Sequence, residues 1–482
     1  MSTNILIDSV VSWEMPRLQL YTKQDWEENV DEIAKEWKIT KAILTNDFKA
    51  ELGESIVLRR KDQKVTLLGL GDTKSFKKIE DAVRSHVFKS KDKMGKAYII
   101  DLHCLTHKLH KIIDPIISGI LLGHYMLKGI APQVDIHLDI PKKNKGKIIL
   151  AIEDAKKVAE AKMWTMYLVD TPSNIIDPQG FADEIEAKSN DFGFDATTFR
   201  SREGLKTLGL HAVLAVNAGS SNLPSFSILE YTPKKPITNI AFVGKGVTFD
   251  TGGVSIKGSQ NMHWMKCDMG GAAAVAGAIA AIASLKLPIA VTGFIPATDN
   301  MVDGSSVKPG DIIQSHSGKT IEIIDTDAEG RLCLADGVSF ASKMKNFEHI
   351  VDIATLTGSS VMTLGYEAGA LFSNNDETAE LITKSSDVSD EKVWQLPLWD
   401  EYAKGIQSDI ADVKNYPGNP AAGAITAAKF IQAFVPEKTK WAHLDIAGVA
   451  FGANGYGKDR NATGYGVHLL MEFAKQVIKN NQ

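Results

Sequence analysis

Between residues 212 and 354 the chain alternates short apolar, β-branched runs with Ala-rich or amphipathic stretches. No other feature constrains the fold as strongly. Ala212–Val216, Ser225–Tyr231, Asn239–Val243, Ile289–Ile295, Thr320–Ile324 and Ile350–Ala354 read as buried strands. Gly270–Leu285, Leu332–Lys345 and Gly423–Val435 read as helices. Apolar strands separated by helices predict an α/β fold whose mainly parallel central sheet is flanked by helices. Ligands of such sheets sit beyond the carboxyl ends of the strands, which directs attention to the loops there.

The first part of the chain alternates too. Val65–Leu70 and Ala97–Leu102 read as strands, Phe76–Phe88 and Ile112–Leu127 as helices, and together they predict a small N-terminal α/β domain. The polar stretch Lys142–Lys147 marks a boundary near residues 140–155. Ile152–Val169 after it has helical spacing and stops before Thr171-Pro172, as the restriction on a residue preceding proline requires. The expected organisation is 1–150 as an N-terminal domain without a catalytic motif and 151–482 as a larger C-terminal domain. A length of 482 residues suits it.

Hydrophobic residues at 44% and charged residues at 23% exclude a disordered or fibrous chain. Three cysteines cannot form a disulfide framework and fit a reducing compartment. The opening residues lack the basic and apolar regions of a signal peptide. The most apolar segment, Gly270–Leu285, is mostly Ala and Gly and short of a span. A cytoplasmic protein without a membrane partner is therefore expected. The net charge of −5 is uneven: residues 1–150 carry 25 basic and 20 acidic side chains, leaving the remainder at −10. A surplus this small, interspersed with acids, reads as a solvated surface, and no nucleic-acid partner is expected.

The loops after the strands hold the chemistry. Asn239–Val243 leads into a glycine-rich loop carrying Lys245 and Asp250, with Lys257 close behind. Asp268 precedes the Ala-rich helix, where it is either a cap or a ligand. Thr320–Ile324 leads into Asp325-Thr326-Asp327-Ala328-Glu329-Gly330-Arg331. Carboxylates gathered in one place repel unless a cation neutralises them. Two such loops from neighbouring strands would bring Asp250, Asp268, Asp327 and Glu329 to a site for two divalent metals. The alternatives are a turn with an incidental ion pair, a salt bridge for Lys245, a partner of the acids in Lys257, and an ion pair of Arg331 with Asp325 or Asp327.

Asp325–Leu332 reads DTDAEGRL, Val243–Lys257 reads VGKGVTFDTGG to a final lysine, and Met265–Ala273 reads MKCDMGGAA. TLTG, WQLPL, AGAITAA, HLDIAG and ATGYGV follow in order. From about residue 170 to about 470 the chain resembles the leucyl (cytosol) aminopeptidase family of two-metal exopeptidases, whose signature is NTDAEGRL.

The resemblance implies a metalloexopeptidase that hydrolyses peptides. Its metal ligands would be Lys245, Asp250, Asp268, Asp327 and Glu329, with Asp250 and Glu329 serving both ions. Lys245 and Asp268 would complete one site and Asp327 the other. Mn or Zn is expected at both. A hydroxide between the metals would attack the carbonyl, one metal would take the free α-amine, and Lys257 would stabilise the oxyanion. Arg331 would hold a bicarbonate that serves as general base. Met265, Thr355, Gly358, Ala447 and Ala450 would line a pocket for an apolar N-terminal side chain such as Leu or Met. A homohexamer is implied. Two positions depart from the family: Asp325 and Asp170 stand where Asn is usual. Cys267, beside a ligand, reads as a small core residue.

Gly318-Lys319-Thr320 lacks the earlier glycine of a phosphate loop and precedes a strand, so it is set aside. Neither HExxH nor GxSxG occurs. Another two-metal hydrolase fits the carboxylates but not the motif set. A DNA-binding role of the N-terminal domain stands only as an addition.

Overall fold

The computed structural model describes residues 3–7, 15–61, 63–105, 109–127, 133–457 and 459–482. The opening stretch read for a signal peptide lies partly outside them. The chain forms two compact units, Met1–Met163 and Trp164–Gln482. The division falls within the long helix Lys145–Asp170, later than the boundary read near residues 140–155. The second half of the Lys-rich stretch starts that helix.

The first unit holds a six-stranded sheet, parallel except where Ser55–Arg60 pairs with Gln63–Gly71. Its helices include Phe76–Met94 and Leu109–Gly123. Tyr21, Trp26 and Phe48 pack edge to face in one of its cores, an arrangement aromatic quadrupoles favour.

The second unit is built on a nine-stranded sheet. At its centre Trp441–Asp445, His349–Ala354, Asn239–Gly244 and Ala290–Asn300 lie side by side and parallel. Antiparallel pairing joins Ser225–Tyr231 to Ala290–Asn300 and Gly369–Ser373 to Trp441–Asp445. His349–Ala354 and Trp441–Asp445 are buried at every position, their His349, Asp352, His443 and Asp445 included. Helices Gly270–Ser284 and Gly330–Met344 both pack on this parallel core. Val243, Phe294, Leu332, Val338, Ile350 and Trp441 belong to one buried cluster. Met262–Ser284 is long and apolar enough to cross a membrane by composition, yet 89% of its most apolar window is buried inside the protein.

Two strand readings need correction. Ala212–Val216 is part of a helix, His211–Val216. The Asp336 carboxylate accepts the N–H groups of Ala212 and Val213, and a five-residue apolar run does not distinguish a short helix from a strand. Thr320–Glu322 is a strand, but of a separate three-stranded sheet with Ile312–Gln314 and Val413–Lys414. The two acidic loops therefore do not follow neighbouring strands of one sheet.

Candidate metal centre

Lys245 sits where the strand Asn239–Gly244 ends. Its backbone is clasped on both sides: its N–H donates to the Ile353 carbonyl at 3.1 Å, and its carbonyl accepts from Ala272 at 2.9 Å. The side chain is buried, and its ammonium donates to Asp268 Oδ1 and the Thr355 carbonyl, each at 2.9 Å. It also lies 2.8 Å from Asp268 Oδ2 and 2.9 Å from Glu329 Oε1. Gly330 is what lets it through, because a Cβ there would stand 2.5 Å from Lys245 Cε. Burial alone lowers the pKa of Lys245, but Asp268, Glu329 and Asp250 outweigh it and hold the ammonium above its ordinary range.

Asp268 is not the helix cap. Met269 holds that position without a side-chain bond. Asp268 Oδ1 instead accepts from Lys245 and from Thr355 Oγ1 at 2.9 Å.

Asp250, Asp327 and Glu329 present carboxylate oxygens within 4.8 Å of one another. Although their loops follow strands of different sheets, Thr326 joins them. Its Oγ1 donates to the Gly252 carbonyl at 2.7 Å and accepts from the Ser255 N–H at 2.8 Å. Lys257 faces this group, with Nζ 2.7 Å from Asp250 Oδ2 and in contact with Asp327. Burial first, then Asp250, raises the pKa of Glu329, and the same causes push Asp327 up to about 7. Glu329 Oε2 is buried without a hydrogen-bond partner among the described residues. Acids held above their normal range, one with an unused buried oxygen, fit a divalent cation. Lys245 and Lys257 lie at ion-pair distance from these carboxylates and supply counter-charge to them.

Arg331, on the first turn of Gly330–Met344, makes no ion pair with Asp325 or Asp327 among the described residues. Its Nη1 donates to the Asn415 carbonyl at 2.8 Å, and its buried Nε has no partner among the described residues. Burial brings its pKa down to about 10, which leaves it a cation at neutral pH. A cation with an unused donor suits a planar anion.

Thr355 and Gly358 follow the strand His349–Ala354, and Ala447 and Ala450 follow the adjacent Trp441–Asp445. Asp445 joins these two loops, its Oδ1 accepting from Leu356 and Ala447 at 3.2 Å and its Oδ2 from Thr357 Oγ1 at 2.6 Å. A Cβ on Gly270 would stand 3.2 Å from both Ala450 Cβ and Thr355 Cγ2. Thr355 and Ala450 thus face one spot at the start of the Ala-rich helix. Met265 lies on the turn Met262–Cys267 just before it. Cys267 is half-buried, not a full core residue, and burial pushes its thiol up to about 12, away from the thiolate a metal requires.

Both departures from the family pattern have a place. Asp325 Oδ1 accepts the Asp327 N–H at 2.9 Å, a turn contact that an Asn oxygen makes equally well. Asp170 Oδ1 accepts the Ala462 N–H at 2.7 Å, and its carbonyl accepts from Lys266. Sequence reasoning passed over Asn300, Asn415 and Asp445, which hold the site's loops. Asn300 ends an apolar strand and Asp445 lies inside the quoted HLDIAG, whereas Asn415 carries no local signal.

The model of the cytosol aminopeptidase family, catalytic domain, matches residues 163–471. A probable cytosol aminopeptidase of Chlorobium luteolum is 38% identical over 463 residues, covering 89% of this chain and 91% of that one. One from Chloroherpeton thalassium is 39% identical over 487 residues, with 94% and 95% covered. Among solved structures, the bottromycin maturation enzyme BotP in complex with Mn superposes with a TM-score of 0.84 at 30% identity, covering 96% of this chain and 99% of its own. A tomato leucine aminopeptidase mutant superposes with a TM-score of 0.84 at 30% identity, covering 98% and 96%.

Proposed function

This chain belongs to the cytosol aminopeptidase family and is a metal-dependent peptide hydrolase; within that activity we propose that it releases apolar N-terminal residues such as Leu or Met by a two-metal mechanism. The observation that carries this reading is the group Asp250, Asp327 and Glu329, with oxygens within 4.8 Å and two lysines as counter-charge. Lys245, Asp250, Asp268, Asp327 and Glu329 would hold two divalent ions, Mn or Zn. When bound, such ions supply Lewis acidity that activates water, polarises the scissile carbonyl and accepts a free α-amine.

The chain's own residues do the rest. Lys257, whose ammonium lies 2.7 Å from Asp250 Oδ2, would stabilise the oxyanion that develops on the carbonyl when Asp250 and Asp327 serve as ligands. Arg331 would hold a bicarbonate through its guanidinium, and that anion would supply the general base, because an arginine that stays charged cannot act as the base. Thr355, Gly358, Ala447, Ala450 and Met265 line the pocket for the N-terminal side chain. A Cβ on Gly358 would meet nothing within 4 Å, which supports room there for an apolar group.

A cytoplasmic homohexamer completes the proposal. Free cysteines and exposed apolar side chains such as Met362 and Trp394 support it, and sedimentation tests the copy number. The function is tested by hydrolysis of Leu-p-nitroanilide, abolished by a chelator and restored by divalent metal. The N-acetylated compound is expected to resist. Equal cleavage of both compounds overturns recognition of the free amine.

A further inference from the structure

We infer that Asn300 is a positioning residue of the metal centre: its side-chain amide ties Asp250 to the Asp325–Gly330 loop and fixes which Asp250 oxygen is presented. The inference rests on the proposed role of Asp250 as a ligand.

Asn300 ends the strand Ala290–Asn300 and is 2% exposed. Its Nδ2 donates to Asp250 Oδ1 at 2.9 Å and to the Thr326 carbonyl at 3.0 Å. Both partners only accept, so the amide has one workable orientation. Flipped, its oxygen would face two acceptors. Both Nδ2 protons are thereby used. Asp250 Oδ1 also accepts the Gly252 N–H at 2.9 Å. That oxygen is occupied by two donors, and Oδ2 is left facing Lys257 at 2.7 Å.

The backbone of Asn300 works in the same direction. Its carbonyl accepts the N–H and Oγ1 of Thr251, at 3.0 and 2.8 Å. The register between the paired strands shifts between Val247 and Asp250, and the amide holds the chain where regular pairing fails. Gly253, at φ +64°, makes the room, because a Cβ there would stand 2.8 Å from Asn300 Oδ1. One amide thus joins a loop that follows the main sheet to a loop that follows the small one, and each carries proposed ligands. Partners of this kind, which orient a ligand from behind, are worth about 10–100-fold in metal affinity.

The test titrates metal-stripped protein with Mn²⁺ alone by calorimetry. Asn300→Ala and the near-isosteric Asn300→Asp, which loses both donors, are compared with the parent and with Asp250→Ala. Both Asn300 variants are expected to bind Mn²⁺ about 10–100-fold more weakly, while KM at saturating metal stays near the parent value. A purely structural role would lower the melting temperature of the metal-free protein and leave the Mn²⁺ affinity alone, which overturns the inference. Failure of both variants to fold assigns Asn300 to the fold and overturns it as well. If Asp250→Ala loses Mn²⁺ binding and neither Asn300 variant does, only this inference falls. Parent-like binding by Asp250→Ala removes the ligand reading beneath it.

Discussion

Lys245 Nζ and Glu329 Oε1 meet at 2.9 Å in the buried heart of the second unit, so the ammonium is this carboxylate's counter-charge. Lys245→Met would leave Glu329 and Asp268 buried without that counter-charge, a loss on the order of 3–5 kcal/mol. Both acids already have raised pKa values, burial being the first cause. A carboxyl raised in the fold opposes folding when ionised and ceases to do so once protonated. The melting-temperature deficit of the chelated variant is therefore expected to be large at neutral pH and to shrink in acid. An equal deficit at both pH values would show that charge is not the cause.

Metal binding should release protons, and their number should change with pH. Lys245 must lose one to become a ligand at any pH where it is charged. Asp327, held up to about 7, binds a second in the metal-free protein below that pH. The Mn²⁺ dissociation constant is expected to rise as the pH falls, about tenfold per pH unit for each proton displaced, and more steeply below 7 than above it. Calorimetric titration across a pH series reads both slopes. A flat profile would exclude Lys245 and Asp327 from the ligand set.

Arg331 has a buried Nε without a partner among the described residues, beside an Nη1 that donates to the Asn415 carbonyl. If a bicarbonate takes up that capacity, hydrolysis by the parent should speed up as bicarbonate is added to carbonate-free buffer. Arg331→Ala should be slower by about 10²–10⁴, the usual worth of a positioned base, and should not respond to bicarbonate. Parent rates that ignore bicarbonate would remove it from the mechanism.

The site was legible where chemistry is concentrated in the chain. Asp327, Glu329 and Arg331 crowd one loop, and a motif-bearing glycine-rich loop holds Lys245 and Asp250. The strand Ser225–Tyr231 was legible from its short, mostly buried run of aromatic and aliphatic residues, and the helix beginning at Gly270 from its Ala-rich composition. Asn415 was not, since it holds Ile324 and Asp325 from far along the chain and nothing local marks it. Asn300 and Asp445 stayed hidden for the same reason: their partners are brought near only by the sheet. His211–Val216 was misread because what makes it a helix, the Asp336 carboxylate, lies far beyond any local window.

That carboxylate is the clearest case of an acid serving the fold and not the metals. Asp336 is fully buried on the helix that begins at Gly330, with no cation paired to it among the described residues. Its Oδ2 accepts the N–H groups of Ala212 and Val213 at 2.8 and 3.1 Å, and its Oδ1 accepts that of His316 at 2.8 Å. Asp336→Ala would strand three buried donors, and each stranded donor costs about 1–3 kcal/mol. The expected destabilisation is therefore on the order of 3–5 kcal/mol after local relaxation. Asp336→Asn keeps one acceptor oxygen for Ala212 and Val213 but turns an NH₂ towards His316, so it should lose roughly half as much. Denaturant unfolding of the metal-free protein reads both losses, and Mn²⁺ affinity in the folded variants should match the parent. A weaker Mn²⁺ affinity with unchanged unfolding would place Asp336 in the metal site instead.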